Sequence, residues 1–192
     1  MDAMYLIFDC ETTGLPRNWR AAISDLGNWP RVIQIAWSLF NKEYEPVETA
    51  IHLIRPEGYV IPDDVQRIHG ITTERALAEG KSLSTVLREF SSAVERSEML
   101  IAHNIRFDES VISAEFLRLN LNLPFGERKR ICTMTQTTNL CRIQGPHGYK
   151  WPTLAQLHQE LFKSGFEEAH DAGADVAACA RCFFELKRRR VI

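Results

Sequence analysis

The chain has 192 residues, 45% hydrophobic and 25% charged, a composition that fits one globular domain with a sizeable core. Its net charge of −2 supplies no global pull on nucleic acid, which excludes a high-affinity nucleic-acid coat protein but not a nuclease whose metals meet phosphate locally. No apolar run reaches the length of a membrane span, and Met1-Asp2-Ala3-Met4 lacks the basic region and cleavage site of a signal peptide, so a cytoplasmic protein with no membrane partner is expected.

The first element, Tyr5 to Cys10, reads as a central strand. Pro16 to Pro30 is a long loop carrying Trp19 and Trp29. Val32 to Phe40 and Glu48 to Ile54 read as two further strands, and the turn residues of Asn41 to Pro46 pair them as a hairpin. Pro62 opens a short helix that Gly70 stops. Thr72-Thr73-Glu74 and Ser82 start two more, the second running to about Arg96. Met99 to Ala102 is a short apolar strand. A helix follows from about Arg106 to Leu119, with apolar positions Phe107, Val111, Ile112, Phe116 and Leu119. Arg130 to Thr133 is read as the fifth strand.

Thr153 caps a helix with the apolar face Leu154, Leu157, Leu161 and Phe162. The last helix starts near Asp171 and ends in the basic run Lys187 to Arg190, read as a solvated terminus favoured by the helix dipole. Its buried face is Val176, Cys179, Ala180, Phe183 and Phe184. Cys179-x-x-Cys182 lies inside that pattern and reads as packing. The odd count of five cysteines fits buried thiols in a reducing compartment. An early hairpin, then strands separated by helices, indicates an α/β mixed sheet with helices on both faces.

The chemistry begins at Phe8-Asp9-Cys10-Glu11-Thr12-Thr13-Gly14. Side chains two apart on a strand share a face, so Asp9 and Glu11 stand side by side with Cys10 opposite. Unit charges ~4 Å apart repel by ~4 kcal/mol at an effective dielectric near 20. A hard divalent cation offsets that most directly. The alternative is a solvated pair at the start of a loop. Two later segments repeat the theme: His103-Asn104-Ile105-Arg106-Phe107-Asp108 after the fourth strand, and His170-Asp171-Ala172-Gly173-Ala174-Asp175 at the start of the last helix. Asp108 falls at the sheet edge where sites of α/β folds tend to form. The small residues around Gly173 let that helix approach another element closely. Singly, each acid also reads as an ordinary charge in the first turn of a helix.

Together, in this order, the three segments resemble the DEDDh (DnaQ-like) 3′–5′ exonucleases, such as the exonuclease domain of polymerase III epsilon subunits. That family's motifs are Asp-x-Glu-Thr-Thr-Gly, His-Asn-x-x-Phe-Asp and His-x-Ala-x-x-Asp. Val65 to Thr72 also looks like a stretch that bacterial members carry. The resemblance implies a ribonuclease H-like fold over residues 1–192 as a single domain, with a mixed five-stranded sheet whose first three strands are antiparallel.

The resemblance also implies two Mg²⁺ or Mn²⁺ ions held by Asp9, Glu11, Asp108 and Asp175, with Asp9 bridging. His170 is implied as general base; tyrosine stands in its place in the related branch, where this chain has Asp171 at the tyrosine position. Thr12, Thr13, Gly14 and Leu15 are implied to grip the 3′-terminal nucleotide, and Asn104, Phe107, Ile68 and His69 to line its pocket. Phe107 and Ile68 also read as plain core. Lys150 reads as a solvated loop lysine, with phosphate contact as the alternative. Trp19 and Trp29 read as folding their loop onto the domain, with stacking on bases as the alternative.

The implied activity is release of nucleoside monophosphates from 3′ ends of single-stranded DNA. It would occur either beside a DNA polymerase subunit or alone. The chain's stop at Ile192, just after the last helix, weakens the polymerase-partner reading. An exoribonuclease resembling ribonuclease T or oligoribonuclease is the alternative. A catalytically inactive binding module is the other class, and the intact acidic set speaks against it.

Overall fold

In the computed structural model, residues 4–166 and 171–192 are described. Strand β1 (Tyr5–Thr12) is built on strict alternation. Leu6, Phe8 and Cys10 face one core, whereas Tyr5 and Ile7 face another. A strand buried on both faces belongs in the middle of a sheet. The order is β3-β2-β1-β4-β5, with β2 (Val32–Phe40), β3 (Pro46–Leu53), β4 (Met99–Ala102) and β5 (Lys129–Cys132). β1, β2 and β3 run antiparallel, and β4 and β5 are parallel to β1. This is the mixed five-stranded sheet expected from the motifs, with boundaries within two residues of the sequence reading.

Two short helices follow the hairpin, α1 (Asp63–His69) and α2 (Thr73–Glu79), and then the longer α3 (Leu83–Glu95). Gly70 ends α1 in the left-handed conformation, at φ 70°. Thr72 and Ser82 cap α2 and α3 through their hydroxyls. α3 and α4 (Ile105–Arg118) cover the Phe8 face, where Phe8 meets Phe90 edge-on at 5.5 Å. Short turns α5 (Thr133–Gln136) and α6 (Thr138–Cys141), and a two-residue ribbon β6 (Gln144–Gly145) with β7 (Gly148–Tyr149), were not legible in the sequence. Each is too short to carry a periodic signal.

α7 (Leu154–Phe162) starts with a full capping box between Thr153 and Gln156. α8 (Ala172–Arg188) covers the Tyr5–Ile7 face through Val176, Cys179, Ala180 and Phe183. Its other buried side, Cys182 and Leu186, packs on Leu157 and Leu161 of α7. Cys179 and Cys182 are thus both packing groups, and all five cysteines are free thiols. No helix among the described residues is long and apolar enough to cross a membrane. At Gly173 an added Cβ would lie 2.4 Å from Ile51 Cδ1 of β3. The small residue lets α8 come down onto the edge of the sheet.

Candidate active site

β1 and β4 are parallel neighbours, so their C-terminal ends share one edge of the sheet, and that edge is where the acids gather. β4 pairs with β1 only as far as Ile7–Ile101. Beyond that point the Cys10 N–H has no strand partner on the β4 side, and Asp108 takes it. The Cys10 N–H donates to Asp108 Oδ1 at 3.1 Å, and the Cys10 thiol donates to the same oxygen at 3.3 Å. Asp108 therefore reaches the edge from α4, across the opposite face from α8, and is 2% exposed. Asp175 reaches it from the first turn of α8.

Asp9, Glu11 and Asp175 each place a carboxylate oxygen within 4.8 Å of the others. Three hard oxygen donors at this spacing, each partly buried, form a set that fits a divalent cation. Their electrostatics say the same. Burial first, then the charges of Asp108 and Asp175, hold Asp9 well above the usual carboxylate range. Glu11 is pushed up to about 8, by burial and then by Asp175 and Asp108. Asp108 is raised to about 7 by burial, against the lowering effect of its hydrogen bonds from Cys10. Asp108, Asp175 and Asp171 all raise both Asp9 and Glu11, a load that a bound cation would relieve. Asp108 couples electrostatically to Asp9 and Glu11, while its Oδ1 is already engaged by Cys10. His170 lies outside the described residues.

Glu11 also lines a groove of about 250 Å³ with Cys10, Thr12, Gly14, Leu15, Val65, Ile68, His69 and Phe107. Six of the eight residues expected to contact substrate thus meet beside the acids. Leu15 and Ile68 are exposed, at 71% and 57%, so Ile68 is not core, whereas Phe107 is partly buried and packs against the core as well as lining the groove. Thr12 folds the turn by donating from its hydroxyl to the Gly14 carbonyl at 2.7 Å. Gly14 has φ 137°, and an added Cβ there would meet nothing within 4 Å, so backbone conformation and not space demands glycine. Thr13 points elsewhere: its hydroxyl accepts from the Arg31 N–H at 2.9 Å and pins the far end of the long loop. Asn104 lies in a neighbouring cavity with Trp19, Arg106, Met134 and Trp151. It holds φ 79° at the start of α4 without using its side chain as a cap.

The loop from Pro16 to Pro30 is firmly built. Asn28 clasps the Asn18 backbone in both directions, at 2.7 and 3.0 Å. Trp29 is buried and donates from Nε1 to the Ala22 carbonyl, so it folds the loop as expected. Arg118 donates to the carbonyls of Leu26, Trp29 and Pro30. Glu115, fully buried, binds Arg31, Arg118 and the Val32 N–H. Trp19 differs: it is 44% exposed and rests on Phe107 at 5.7 Å. Lys150 is exposed, in line with a solvated loop residue.

Two residues that hold the acids in place were missed. Cys10 orients Asp108, and no sequence signal marks it. Gln34 of β2 accepts from the Ala172 N–H at 2.9 Å and donates to Asp171 Oδ2 at 3.0 Å, fixing the start of α8. A signal existed there: a lone amide inside the apolar run Val32-Ile33-Gln34-Ile35-Ala36 has to find partners. His103 was also passed over. Its ring bridges the Thr133 hydroxyl and the Pro152 carbonyl, each at 3.0 Å. Burial lowers its pKa to about 4, so it is neutral at pH 7. The carbonyl then requires the proton on Nε2, and Nδ1 accepts from Thr133.

The chain is similar to known proteins over most of its length. Over 145 residues the chain is 32% identical to the DNA polymerase III subunit epsilon of Haemophilus influenzae, covering 73% of this chain and 51% of that one. It is 30% identical over 192 residues to the PolC-type DNA polymerase III of Lactococcus lactis, covering 98% of this chain and 10% of that one. The chain therefore spans about half, or about a tenth, of these relatives. The structure of E. coli exonuclease I in complex with a dT13 oligonucleotide superposes with a TM-score of 0.77 at 20% identity, over 98% of this chain and 42% of that one. The ribonuclease H-like fold expected from the motifs is thereby shown. The RNase_T exonuclease profile matches residues 6–183, from the strand that carries Asp9 to the helix that carries Asp175, and the chain belongs to that exonuclease family.

Proposed function

We propose that this chain is a single-domain, metal-dependent 3′–5′ exonuclease that releases nucleoside monophosphates from single-stranded DNA ends. The observation that carries the reading is the cluster of Asp9, Glu11 and Asp175 opening on a groove shaped by Leu15, Ile68 and Phe107. Two Mg²⁺ or Mn²⁺ ions held here would supply Lewis-acid activation of the attacking water and charge stabilisation for the leaving 3′-oxygen. Glu11 and Asp175 would hold one, Asp108 the other, and Asp9 both. Asp9 fits the bridging role because Glu11, Asp175 and Asp108 all act on its ionisation. Thr12 and Gly14 orient the terminal nucleotide through the turn they form. Leu15, Ile68, His69 and Phe107 take its base. His170, a few residues before Asp175 in sequence, would accept the proton of the water.

The relatives are polymerase subunits or polymerases, and E. coli exonuclease I was seen with an oligonucleotide. These likenesses support a DNA substrate, a cytoplasmic setting and a polymerase as partner. The test is incubation with 3′-labelled single-stranded DNA or RNA and Mg²⁺, Mn²⁺ or chelator. Stepwise, metal-dependent release from DNA is expected. No release from either polymer would end the enzyme reading, and faster release from RNA would replace it with an exoribonuclease. His170→Ala should slow turnover by ~10²–10⁴ with metal binding retained. An unchanged rate would remove His170 from the mechanism.

A further inference from the structure

Next to the groove lies a cavity of about 420 Å³ lined by Trp19, Asn104, Arg106, Met134 and Trp151. We propose that Trp19 and Trp151 form a stacking subsite for the unpaired base that precedes the 3′-terminal nucleotide. The inference rests on the exonuclease reading and extends it by one substrate position.

Both indoles line the cavity and are open to solvent. Trp19 is 44% exposed and Trp151 63% exposed, a large apolar area to leave in water without use. One side chain links the terminal-nucleotide groove to a wall of the cavity. Phe107 lines that groove, and its ring also meets the Trp19 ring at 5.7 Å. A strand leaving the groove past Phe107 arrives at Trp19. The chemistry of the lining suits a nucleotide. Among the described residues that line the cavity, the single charge is that of Arg106, which is exposed, and none is an acid. Met134 adds a polarisable contact for an aromatic ring.

The walls are also held. Arg106 donates to the Trp19 carbonyl at 3.2 Å, fixing that loop. His103 Nε2 donates to the Pro152 carbonyl at 3.0 Å, fixing the segment next to Trp151. Both ties start from the motif segment His103 to Asp108, so the geometry that sets Asp108 also sets the two indoles. Stacking on such rings tolerates any base, because every base has a π-face.

Two readouts test the subsite. The first is tryptophan fluorescence in chelator, where no cleavage occurs, titrated with oligothymidylates of one to six nucleotides. Trp29 and Trp37 are buried, so quenching reports Trp19 and Trp151. Quenching should appear at two nucleotides or more and shrink in Trp151→Ala. The second is KM for a dinucleotide, the shortest substrate that fills the subsite, in Mg²⁺. Trp151→Ala should raise that KM by about 5- to 100-fold, with Trp151→Phe recovering part. An equal KM for the dinucleotide in wild type and Trp151→Ala overturns the subsite. So does full quenching by a mononucleotide, which would place the terminal base there instead. Absence of cleavage by every variant strikes the exonuclease reading alone, since the fluorescence titration needs no turnover.

Discussion

At the strand end of the groove, Asp9, Glu11 and Asp175 are pressed within 4.8 Å, and burial raises the pKa of Asp9 and of Glu11. At the other end, Trp19 and Trp151 stand open to solvent on loops tied down by Arg106 and His103. The acidic end is held against its own repulsion, and the packing of α8 and α4 on the sheet supplies the restraint. The aromatic end carries no such strain; neutral or singly charged hydrogen bonds are enough to hold it. The contrast separates two ways of preparing a site. One stores electrostatic cost that incoming positive charge relieves, and the other leaves apolar surface exposed until a ligand covers it.

The largest effect should come from the acidic end. Asp9→Asn should lower turnover by about 10³-fold or more, because in the proposed arrangement one side chain would serve both metal ions. Single-turnover release from a labelled oligonucleotide measures it, and a loss below tenfold would deny Asp9 its bridging role. Glu115→Ala attacks the aromatic end instead. It leaves Arg31 and Arg118 without their buried partner and should cost about 3–5 kcal/mol by denaturant unfolding. Arg118 holds three carbonyls of the loop that carries Trp19, so affinity for oligonucleotides should fall while Mn²⁺ binding persists. Loss of Mn²⁺ binding in that variant would mean that the two ends are one unit.

Gln34→Leu is a smaller probe of the acidic end. It strands the Ala172 N–H, worth about 1–3 kcal/mol when left unsatisfied, and takes the donor from Asp171 Oδ2 while Oδ1 keeps the Ala174 N–H. Melting should drop by about 2–4 °C per kcal/mol. Turnover should fall with it as the start of α8 loosens under Asp175. A melting point equal to that of the wild type would show that water or another group replaces the amide.

The sequence exposed the acidic end far better than the aromatic one. Asp9, Glu11, Asp108 and Asp175 sit at fixed offsets from strand ends and helix starts, and periodicity locates those ends within a residue or two. Leu15, Ile68 and Phe107 came with the motifs, and their shared groove followed. Trp151 lies in a connection without period, ahead of a capping threonine, and nothing in its neighbours announces the cavity. Gln34 was visible only as a polar residue in a buried strand. Cys10 was read as facing away from the acids, which is right for its side of β1, yet its thiol and N–H still reach Asp108 across the end of the β1–β4 pairing. Alternation predicts faces, but not what enters where two strands part.

The smallest expected effect tests the stored strain directly. Glu11 titrates at about 8 in the fold against an ordinary 4.5, and Asp108 at about 7 against 3.8. Folded values above unfolded ones mean that the native state binds the extra protons. Stability from these groups is then complete below about pH 4 and is lost as pH rises toward 7–8. Other carboxylates lose stability in acid; Glu185, held at about 2 by Arg188 and Arg189, is one. A bare pH profile therefore mixes opposite trends. The difference between Asp9→Asn and wild type removes the shared part, since the amide cannot ionise. In chelator, Asp9→Asn should melt higher than wild type, by a gap that opens from about pH 4 and reaches a few degrees by pH 8. Saturating Mn²⁺ should close the gap, because the ion relieves in the wild type what the amide removes in the variant. A gap that is flat across pH would mean that the acids carry no strain, and that the two ends of the groove differ in chemistry alone.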